Sequence, residues 1–369
     1  MTSLVVQTSF IGDMVLTTPL IAELARRGPV DVLTTPITGT LLANNPAVRR
    51  VILYDKRGAD RGPVGLWRAA RSTRELFDEG RMHPVSYDAA YLAQGSIRSA
   101  MAARLVGAGE YVGFSTSAGR ALYTRVIPYR EDQHHAERLW SLAAWNEPGA
   151  APAPNIRPAL YPGEKEREAV DVLLGRAPSK PAPRGSHQSL VTSHQSLVVL
   201  APGSTWATKR WPYFAELARI LAARFRVAIV GSDAEQDAAR TIRNEAAVEI
   251  CDATGRLSLL GSAELIGRAA ALVTNDSAPL HLASAMNTPT VAVFGPTVPA
   301  FGFGPLASRN AVAGLDSLAC RPCHRHGPRR CPLGHWRCMR DLSPEHVAQL
   351  VETVADERLA NSQQPTANS

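Results

Sequence analysis

The residues best suited to catalysis and anion binding follow short apolar runs that end abruptly. In the clearest case, the run 271–274 gives way to Asn275 and small polar residues, and a helix-like segment follows Pro279. This pattern predicts a strand, a tight turn and a helix N-terminus, where unpaired N–H groups and the positive dipole end attract an anion. The residues with chemical potential at this turn are Asp276, Ser277, Ala278 and His281.

Two further strand-to-helix turns carry an acid and a lysine. Asp13 follows the apolar run 4–7, and Ser204 and Thr205 precede Lys209. A carboxylate at a strand end can act as a general base, and a lysine can neutralise a departing phosphate. Together the three turns indicate an enzyme that handles a phosphorylated substrate.

Each of these residues also has a purely structural explanation. Asp13 can cap its helix, Lys209 can be a surface lysine beside Arg210, and a single histidine such as His281 often belongs to the core. Asp233 ends another strand, where an acid commonly binds ribose hydroxyls but serves equally well as a cap. The residues alone leave both explanations open.

Alternating strand-like and helix-like segments position these turns. The alternation runs from strand 3–7 to helix 97–106, and again from strand 197–201 to helix 344–358. It predicts an α/β fold with doubly wound parallel sheets. Ligands bind at the carboxyl edge of such sheets, so we expect two Rossmann-like domains that face a central cleft.

Length and composition exclude several classes of protein. A chain of 369 residues with 45% hydrophobic and 20% charged residues is typical of a globular protein of two domains. No apolar run reaches the roughly 18 residues that a membrane span needs. The N-terminal segment lacks the basic region of a signal peptide, so we expect a cytoplasmic protein. No G-x-G-x-x-G motif follows a strand, which argues against a dehydrogenase.

The net charge of +7 is unevenly distributed. Residues 49–74 contain eight Lys and Arg residues against two Asp residues. This segment is either a solvated face or a surface for an anionic partner such as phosphorylated lipid, membrane headgroups or nucleic acid. Few aromatic residues lie among the bases, which argues against nucleic acid.

Four cysteines lie close together near the C-terminus: Cys320, Cys323, Cys331 and Cys338. A CxxC pair followed by two more cysteines in a cytosolic protein favours a structural Zn²⁺ site over disulfides. The second pair is spaced more widely than in a zinc ribbon, so free thiols and a redox-labile loop remain alternatives.

Taken together, the motifs resemble the bacterial lipopolysaccharide heptosyltransferase family, and heptosyltransferase II more than I. The matching segments, in family order, are 11–19, 202–204 with 209–212, 230–232, 274–277 with His281, and 293–297. The resemblance implies a GT-B fold. It also implies inverting transfer of heptose from ADP-L-glycero-D-manno-heptose to the inner core of lipopolysaccharide.

The resemblance also implies roles for single residues. It places the general base on Asp13 and the phosphate-binding lysine on Lys209. The other donor-binding positions fall on Ser204, Thr205, Asp233, Asp276, Ser277, Ala278 and His281. The family usually has Gly where this chain has Ala278, so a methyl group narrows the backbone's approach to the donor there.

The implied partners are an ADP-heptose donor, a Kdo- and heptose-bearing lipid A acceptor, and the cytoplasmic face of the inner membrane. The acceptor-side bases are Arg68, Arg71 and Arg74.

No acidic pair is placed to hold Mg²⁺ against the diphosphate, so we expect no cofactor for catalysis. We also expect no nucleic-acid partner. The alternatives are a GT-B enzyme with another sugar donor, a nucleotide-sugar epimerase, or a basic, cysteine-containing nucleic-acid-binding protein.

The predicted organisation has four parts. An acceptor-binding Rossmann-like domain covers 1–160, and a Pro-rich linker with a duplicated heptad covers 161–197. A nucleotide-sugar-binding Rossmann-like domain covers 198–345 and contains the Cys-rich loop 320–338. A C-terminal helix and a disordered tail cover 346–369.

Overall fold

The computed structural model describes residues 1–78, 81–144, 156–175 and 195–362. The chain divides into two compact units, Met1–Tyr161 and Pro162–Ser369. Most of the duplicated heptad, up to residue 194, and residues 363–369 of the predicted C-terminal tail lie outside the described residues.

The first unit is built on a six-stranded parallel sheet. Its strands are β1 (Ser3–Gln7), β2 (Val30–Thr34), β3 (Arg50–Leu53), β6 (Tyr87–Leu92), β7 (Ala108–Phe114) and β8 (Arg125–Ile127), in the order β3-β2-β1-β6-β7-β8. A separate antiparallel hairpin consists of β4 (Glu75–Asp78) and β5 (Arg81–Pro84). β1 and β2 are buried along their whole length. Three of the five residues in each are apolar, as expected for strands that are covered on both faces.

Helices cover the sheet of the first unit. They are α1 (Ile11–Ala25), α2 (Pro36–Gly39), α3 (Gly62–Arg74), α4 (Ile97–Val106) and α5 (His135–Ala144). Leu4 and Val6 of β1 share one core cluster with Leu66 of α3 and Ala103 of α4. α1 packs against α5.

The second unit repeats this architecture. Its strands are β9 (Leu197–Ala201), β10 (Arg226–Ile229), β11 (Ile250–Asp252), β12 (Ala271–Asn275), β13 (Thr290–Val293) and β14 (Asn310–Ala313), all parallel, in the order β11-β10-β9-β12-β13-β14. Its helices are α6 (Glu164–Leu173), α7 (Phe214–Leu221), α8 (Gln236–Ala246), α9 (Leu259–Arg268), α10 (Ala278–Met286), α11 (Arg337–Arg340) and α12 (Pro344–Ser362).

Helix α6 lies inside the segment that the sequence predicts to be a linker. It packs against α9, and Arg268 Nη1 lies 2.5 Å from Asp171 Oδ1. The predicted linker is therefore partly an element of the second unit. Within the described residues, no helix is both long enough and apolar enough to span a bilayer.

Strand order identifies where each sheet can hold a ligand. In the first unit the chain moves from β1 to one side, through β2 and β3, and returns to the other side at β6. The second unit does the same around β9 and β12. Ligands bind at the carboxyl ends of strands at such reversal points, which selects the turns after β1 and β6 in the first unit and after β9 and β12 in the second.

Candidate active site

Asp13 lies in the first turn of α1, just beyond the carboxyl end of β1. Its side chain is 21% exposed. Ser9 Oγ donates a hydrogen bond to Asp13 Oδ2 at 2.5 Å, and the Phe10 amide donates to the same oxygen at 3.4 Å. The carboxylate is therefore held in a fixed orientation and still reaches solvent.

His135 brings a second titratable group to this carboxylate. Its Nε2 lies 3.8 Å from Asp13 Oδ1. The residue opens α5, and the packing of α5 against α1 produces the approach. Neither Ser9 nor His135 is among the predicted site residues. Ser9 lies only four positions before Asp13, so its contact is local, whereas the approach of His135 depends on tertiary packing and leaves no sign in the sequence.

Lys209 and Asp276 form an ion pair in the second unit. Lys209 Nζ donates to Asp276 Oδ2 at 2.5 Å, and Thr297 Oγ1 donates to the same oxygen at 2.7 Å. Both charged side chains are 10% exposed. Two opposite charges with so little exposure to solvent attract each other strongly, and either charge would destabilise the protein without its partner. Lys209 is thus not a surface lysine, and Thr297 is a member of the cluster that the sequence did not predict.

Asn275 joins the turn after β12 to the turn after β9. Its side chain is fully buried. Asn275 Oδ1 accepts a hydrogen bond from the Trp211 amide at 3.1 Å, and Nδ2 donates to Pro202 O at 2.8 Å. These bonds fix the segment that carries Lys209 against the strand end that carries Asp276.

The two predicted phosphate-contacting hydroxyls differ in environment. Ser204 is buried, its Oγ accepts from the Trp206 amide at 3.4 Å, and its carbonyl accepts from Arg210 Nε at 2.9 Å. Thr205 is exposed. Ser204 therefore shapes the turn, and Thr205 is the hydroxyl that is open to a ligand.

Helix α10 begins at the predicted turn. Ser277 is its N-cap, Ala278 its first residue, and Pro279 occupies the first turn. His281, one turn further on, is only 5% exposed, and its ring meets the Phe303 ring at a centroid distance of 6.3 Å. The helix N-terminus thus lies next to Asp276, whereas His281 is packed inside the unit.

Asp233 lies at the carboxyl end of β10, beside β9 in the sheet. Its Oδ1 accepts a hydrogen bond from Gln236 Nε2 at 3.2 Å. Gly255 adopts φ +68°, and a Cβ there would lie 2.1 Å from this oxygen. Gly255 therefore makes room for the Asp233 carboxylate, in a backbone conformation that other residues rarely adopt.

The cysteine-rich segment packs beside the Lys209 cluster. The Cys323 amide donates to Pro296 O at 2.9 Å, and Thr208 Oγ1 donates to Pro328 O at 2.5 Å. Gly327 has φ +85°, and a Cβ there would come within 3.1 Å of Lys209 Cε. This segment therefore forms part of the wall around Lys209.

The structure does not support the predicted zinc site at Cys320, Cys323, Cys331 and Cys338. Across the described residues, no three His, Cys, Asp or Glu side chains are grouped so that they could hold a metal ion. Cys323 Sγ donates to the Cys320 carbonyl at 3.0 Å. Burial raises the pKa of the Cys338 thiol to about 11, so without a metal this side chain is a neutral thiol at pH 7.

Arg321, inside the CxxC pair, is a residue that the sequence did not single out. Its side chain is only 3% exposed. The guanidinium donates to Gly295 O at 2.5 Å, Phe294 O at 2.8 Å and Thr297 O at 3.3 Å. It thereby fixes the segment that carries Thr297, and through Thr297 the orientation of Asp276.

We expect Arg321→Ala to destabilise the protein by about 1.5–3 kcal/mol, because it leaves buried carbonyl groups without a charged donor. ADP affinity should fall as Thr297 loses its position, and Arg321→Lys should recover part of it. Thermal melting and calorimetric titration with ADP measure both effects. Asp316→Ala is the control, since Asp316 is fully exposed and lies 3.5 Å from the guanidinium. Equal ADP affinity in Arg321→Ala and the wild type would contradict the role.

The Arg-rich segment 49–74 is not one surface. Arg49 Nε donates to Asp31 Oδ1 at 2.8 Å and Arg50 Nη2 to Asp31 Oδ2 at 3.0 Å, and the Asp31 side chain is fully buried. Lys56 Nζ donates to Thr8 O at 2.6 Å. These three bases are therefore used within the fold. The other five bases are exposed: Arg57 and Arg61 precede α3, and Arg68, Arg71 and Arg74 lie on it.

Two Rossmann-like units, each with polar turns at the carboxyl edge of its sheet, are typical of a GT-B glycosyltransferase. The chain belongs to glycosyltransferase family 9 (heptosyltransferase), since the model of that family matches residues 80–336. Asp13 is N-terminal to the residues that the family model matches, so the match itself does not include it. Membership makes the chain a glycosyltransferase and confirms the family resemblance and the enzyme class predicted from the motifs.

Individual relatives match over nearly the whole chain. Lipopolysaccharide heptosyltransferase 1 of Pseudomonas aeruginosa is 30% identical over 95% of this chain and 97% of that protein. The structure of E. coli ADP-heptose lps heptosyltransferase II covers 97% of this chain and 100% of its own, with 24% identity and a TM-score of 0.74. An E. coli heptosyltransferase with ADP-2-deoxy-2-fluoro heptose covers 96% of this chain and 99% of its own, with 21% identity and a TM-score of 0.64. These similarities confirm the GT-B fold class.

Proposed function

We propose that this chain transfers heptose from ADP-heptose to the inner core of lipopolysaccharide, with inversion at the anomeric carbon. Family membership and the 30% identical heptosyltransferase support the reaction class. The solved heptosyltransferase with a fluorinated ADP-heptose supports the donor. The observation that carries the proposal is the nearly buried Lys209–Asp276 pair, which lies between the turn after β9 and the N-terminus of α10.

Lys209 and the α10 N-terminus are the groups that bind the departing diphosphate. As the anomeric carbon–oxygen bond breaks, negative charge grows on ADP, and preorganised donors stabilise it most in a dry site. Asp276, which also accepts a hydrogen bond from Thr297, holds Lys209 Nζ at a fixed point before the donor arrives. Thr205 adds an exposed hydroxyl, and Asp233 is positioned for the ribose.

Asp13 is the general base. The acceptor hydroxyl oxygen attacks the anomeric carbon from the face opposite ADP, its proton passes to the carboxylate, and ADP leaves with the bonding electron pair. Ser9 binds Asp13 Oδ2, which directs the other oxygen toward the acceptor. His135, 3.8 Å from Oδ1, is placed to take up the proton afterwards.

The acceptor in this proposal is lipid A that carries Kdo or heptose, at the cytoplasmic face of the inner membrane. Phosphates on such a molecule attract cations, and Arg68, Arg71 and Arg74 are exposed on the first unit. The membrane itself presents anionic headgroups to the same bases.

An assay with defined acceptors tests the function. Purified protein is incubated with ADP-heptose and either Kdo-lipid A or the acceptor that already carries one heptose, and products are read by mass spectrometry and by NMR of the new anomeric centre. We expect one added heptose with inverted configuration and one ADP per transfer. Transfer from a different nucleotide sugar, or epimerisation without an acceptor, would assign another GT-B activity.

We expect transfer to continue at an unchanged rate in excess EDTA. The positive charge that the leaving diphosphate needs comes from Lys209 and the helix N-terminus, so Mg²⁺ has no necessary place in the step. The measurement compares initial rates with and without chelator, with a melting curve beside each. Loss of activity that Mg²⁺ restores, with folding unchanged, would contradict this prediction.

A further inference from the structure

Helices α3 and α4 turn large apolar side chains toward solvent. These side chains are between 43% and 68% exposed and belong to Val64, Trp67, Ile97, Met101 and Leu105. The spacing of three or four residues places each set on one stripe of its helix. The two helices pack against each other, so the stripes lie side by side. We call this surface the α3–α4 face.

A groove joins the two stripes. It has a volume of about 450 Å³, with Trp67 and Leu105 in its lining and Arg71 and Arg74 beside them. Scattered apolar side chains are ordinary on a protein surface, but a continuous apolar patch marks an interaction site. The groove shows that apolar side chains of the two helices meet.

Arginines border the apolar side chains of the α3–α4 face. The exposed ones include Arg68, Arg71, Arg74 and Arg98, whereas the guanidinium of Arg104 stacks on the Tyr111 ring and donates to Leu122 O. The Arg71 guanidinium lies 5.7 Å from the centre of the Trp67 ring. Asp60 and Glu75 pair with Arg68 and Arg71, so the face keeps an excess of positive charge.

We propose that the α3–α4 face docks on an anionic lipid bilayer, with the apolar side chains in the interface and the arginines on the headgroups. Aromatic and aliphatic side chains bordered by arginines suit this boundary, because the apolar parts leave water and the charges stay in it. The excess of arginine favours an anionic surface over a neutral one. This proposal rests on the proposed function only in that the acceptor is a lipid.

The topology supports this placement. α1, α3 and α4 directly follow β1, β3 and β6, apart from short loops, so their N-termini lie at the same carboxyl edge of the sheet. Val64 and Ile97 lie in the first turns of α3 and α4, and Asp13 lies in the first turn of α1. A bilayer under the α3–α4 face would therefore lie near the edge that carries the general base.

Cosedimentation with vesicles tests the charged component. We expect full-length protein to bind vesicles of phosphatidylglycerol and phosphatidylethanolamine at low salt and not vesicles of phosphatidylcholine. Reversal of Arg68, Arg71 and Arg74 to Glu should weaken binding by at least roughly 100-fold, because loss of three arginines that each contribute about fivefold gives this factor even before the new carboxylates are repelled. Reversal of the exposed Arg26, Arg240 and Arg337 changes the net charge equally and is the matched control. An equal loss in both variants would overturn the docking face.

A second triple variant tests the apolar component. Charge attraction fades as the Debye length falls from about 10 Å at 0.1 M salt to about 3 Å at 1 M, whereas apolar insertion persists. We expect wild-type binding in part to survive 0.5 M salt and Ser replacements of Trp67, Met101 and Leu105 to abolish this remainder. Val172→Ser, an equally exposed site in the second unit, should leave it unchanged.

Further measurements separate the outcomes. Sedimentation of the free protein shows whether a second copy covers the face, and a dimer that the Ser variant dissolves would overturn the lipid proposal. ADP affinity and melting temperature should be equal in all variants. Loss of vesicle binding in the Ser variant of Trp67, Met101 and Leu105, with normal transfer to a delipidated soluble acceptor, would support docking. Absence of transfer in the wild type, with vesicle binding intact, would reject the proposed function and leave the docking face standing.

Discussion

Replacing Asp13 by Asn is expected to lower kcat by about 10²- to 10⁴-fold, the usual cost of losing a general base. Asn has nearly the same shape and can still accept the hydrogen bond from Ser9, but it cannot take the acceptor proton. ADP affinity and melting temperature should therefore stay at their wild-type values. Steady-state transfer with a saturating acceptor and calorimetric titration with ADP measure the two effects separately.

Glu23→Gln provides the matched control for this variant. Glu23 lies on the same helix and forms ion pairs with Arg26 and Arg27, so the control also converts a helical carboxylate to an amide. Its turnover should equal that of the wild type. Turnover of Asp13→Asn close to wild type would show that the carboxylate only caps α1.

The strands that lie deep in each sheet could be predicted from the sequence. Segments 3–7, 197–201 and 290–293 have the bounds of β1, β9 and β13. These strands are buried almost throughout, so each reads as a continuous apolar run. The turns that follow β1 and β9 contain Asp13 and Ser204, so these two site residues could be predicted together with the strands.

The strands β7, β8 and β14 could not be predicted in this way. β7 contains Gly109 and Gly113, which weaken the strand pattern. Gly113 is needed because a Cβ there would lie 2.3 Å from the Tyr123 ring. β8 and β14 are short, partly exposed edge strands, so neither forms the continuous apolar run that identifies the equally short but fully buried β13.

The candidate site could be predicted only where it depends on local turns. The pairing of Lys209 with Asp276 joins residues that are 67 positions apart, and sequence spacing carries no sign of it. The same is true of His135 beside Asp13 and of Arg321 behind Thr297. Arg49 and Arg50 look like surface bases in sequence, yet a buried Asp31 on a neighbouring strand holds both.

Replacing Lys209 by Ala is expected to weaken ADP binding by about 10- to 150-fold, which corresponds to about 1.5–3 kcal/mol for a charge-assisted contact. The loss should be much smaller for AMP, which lacks the second phosphate. Calorimetric titration of both nucleotides measures the difference. Lys165→Ala, at an exposed lysine on α6, is the control and should change neither affinity.

The ion pair adds a second consequence that must be separated from the first. Lys209→Ala leaves Asp276, which is 10% exposed, without its cation, and an unpaired charge in so dry a site destabilises the protein. We therefore expect a lower melting temperature in the single variant. Replacing Asp276 by Asn in the same chain removes the stranded charge and should restore stability.

The double variant Lys209→Ala with Asp276→Asn therefore decides what the lysine does. If Nζ binds the diphosphate, the double variant melts near the wild type and still binds ADP weakly, because no cation faces the second phosphate. If Lys209 serves only to neutralise Asp276, the double variant regains ADP affinity together with stability. Recovery of both quantities would remove Lys209 from the donor site and leave the α10 N-terminus as the group that binds the diphosphate.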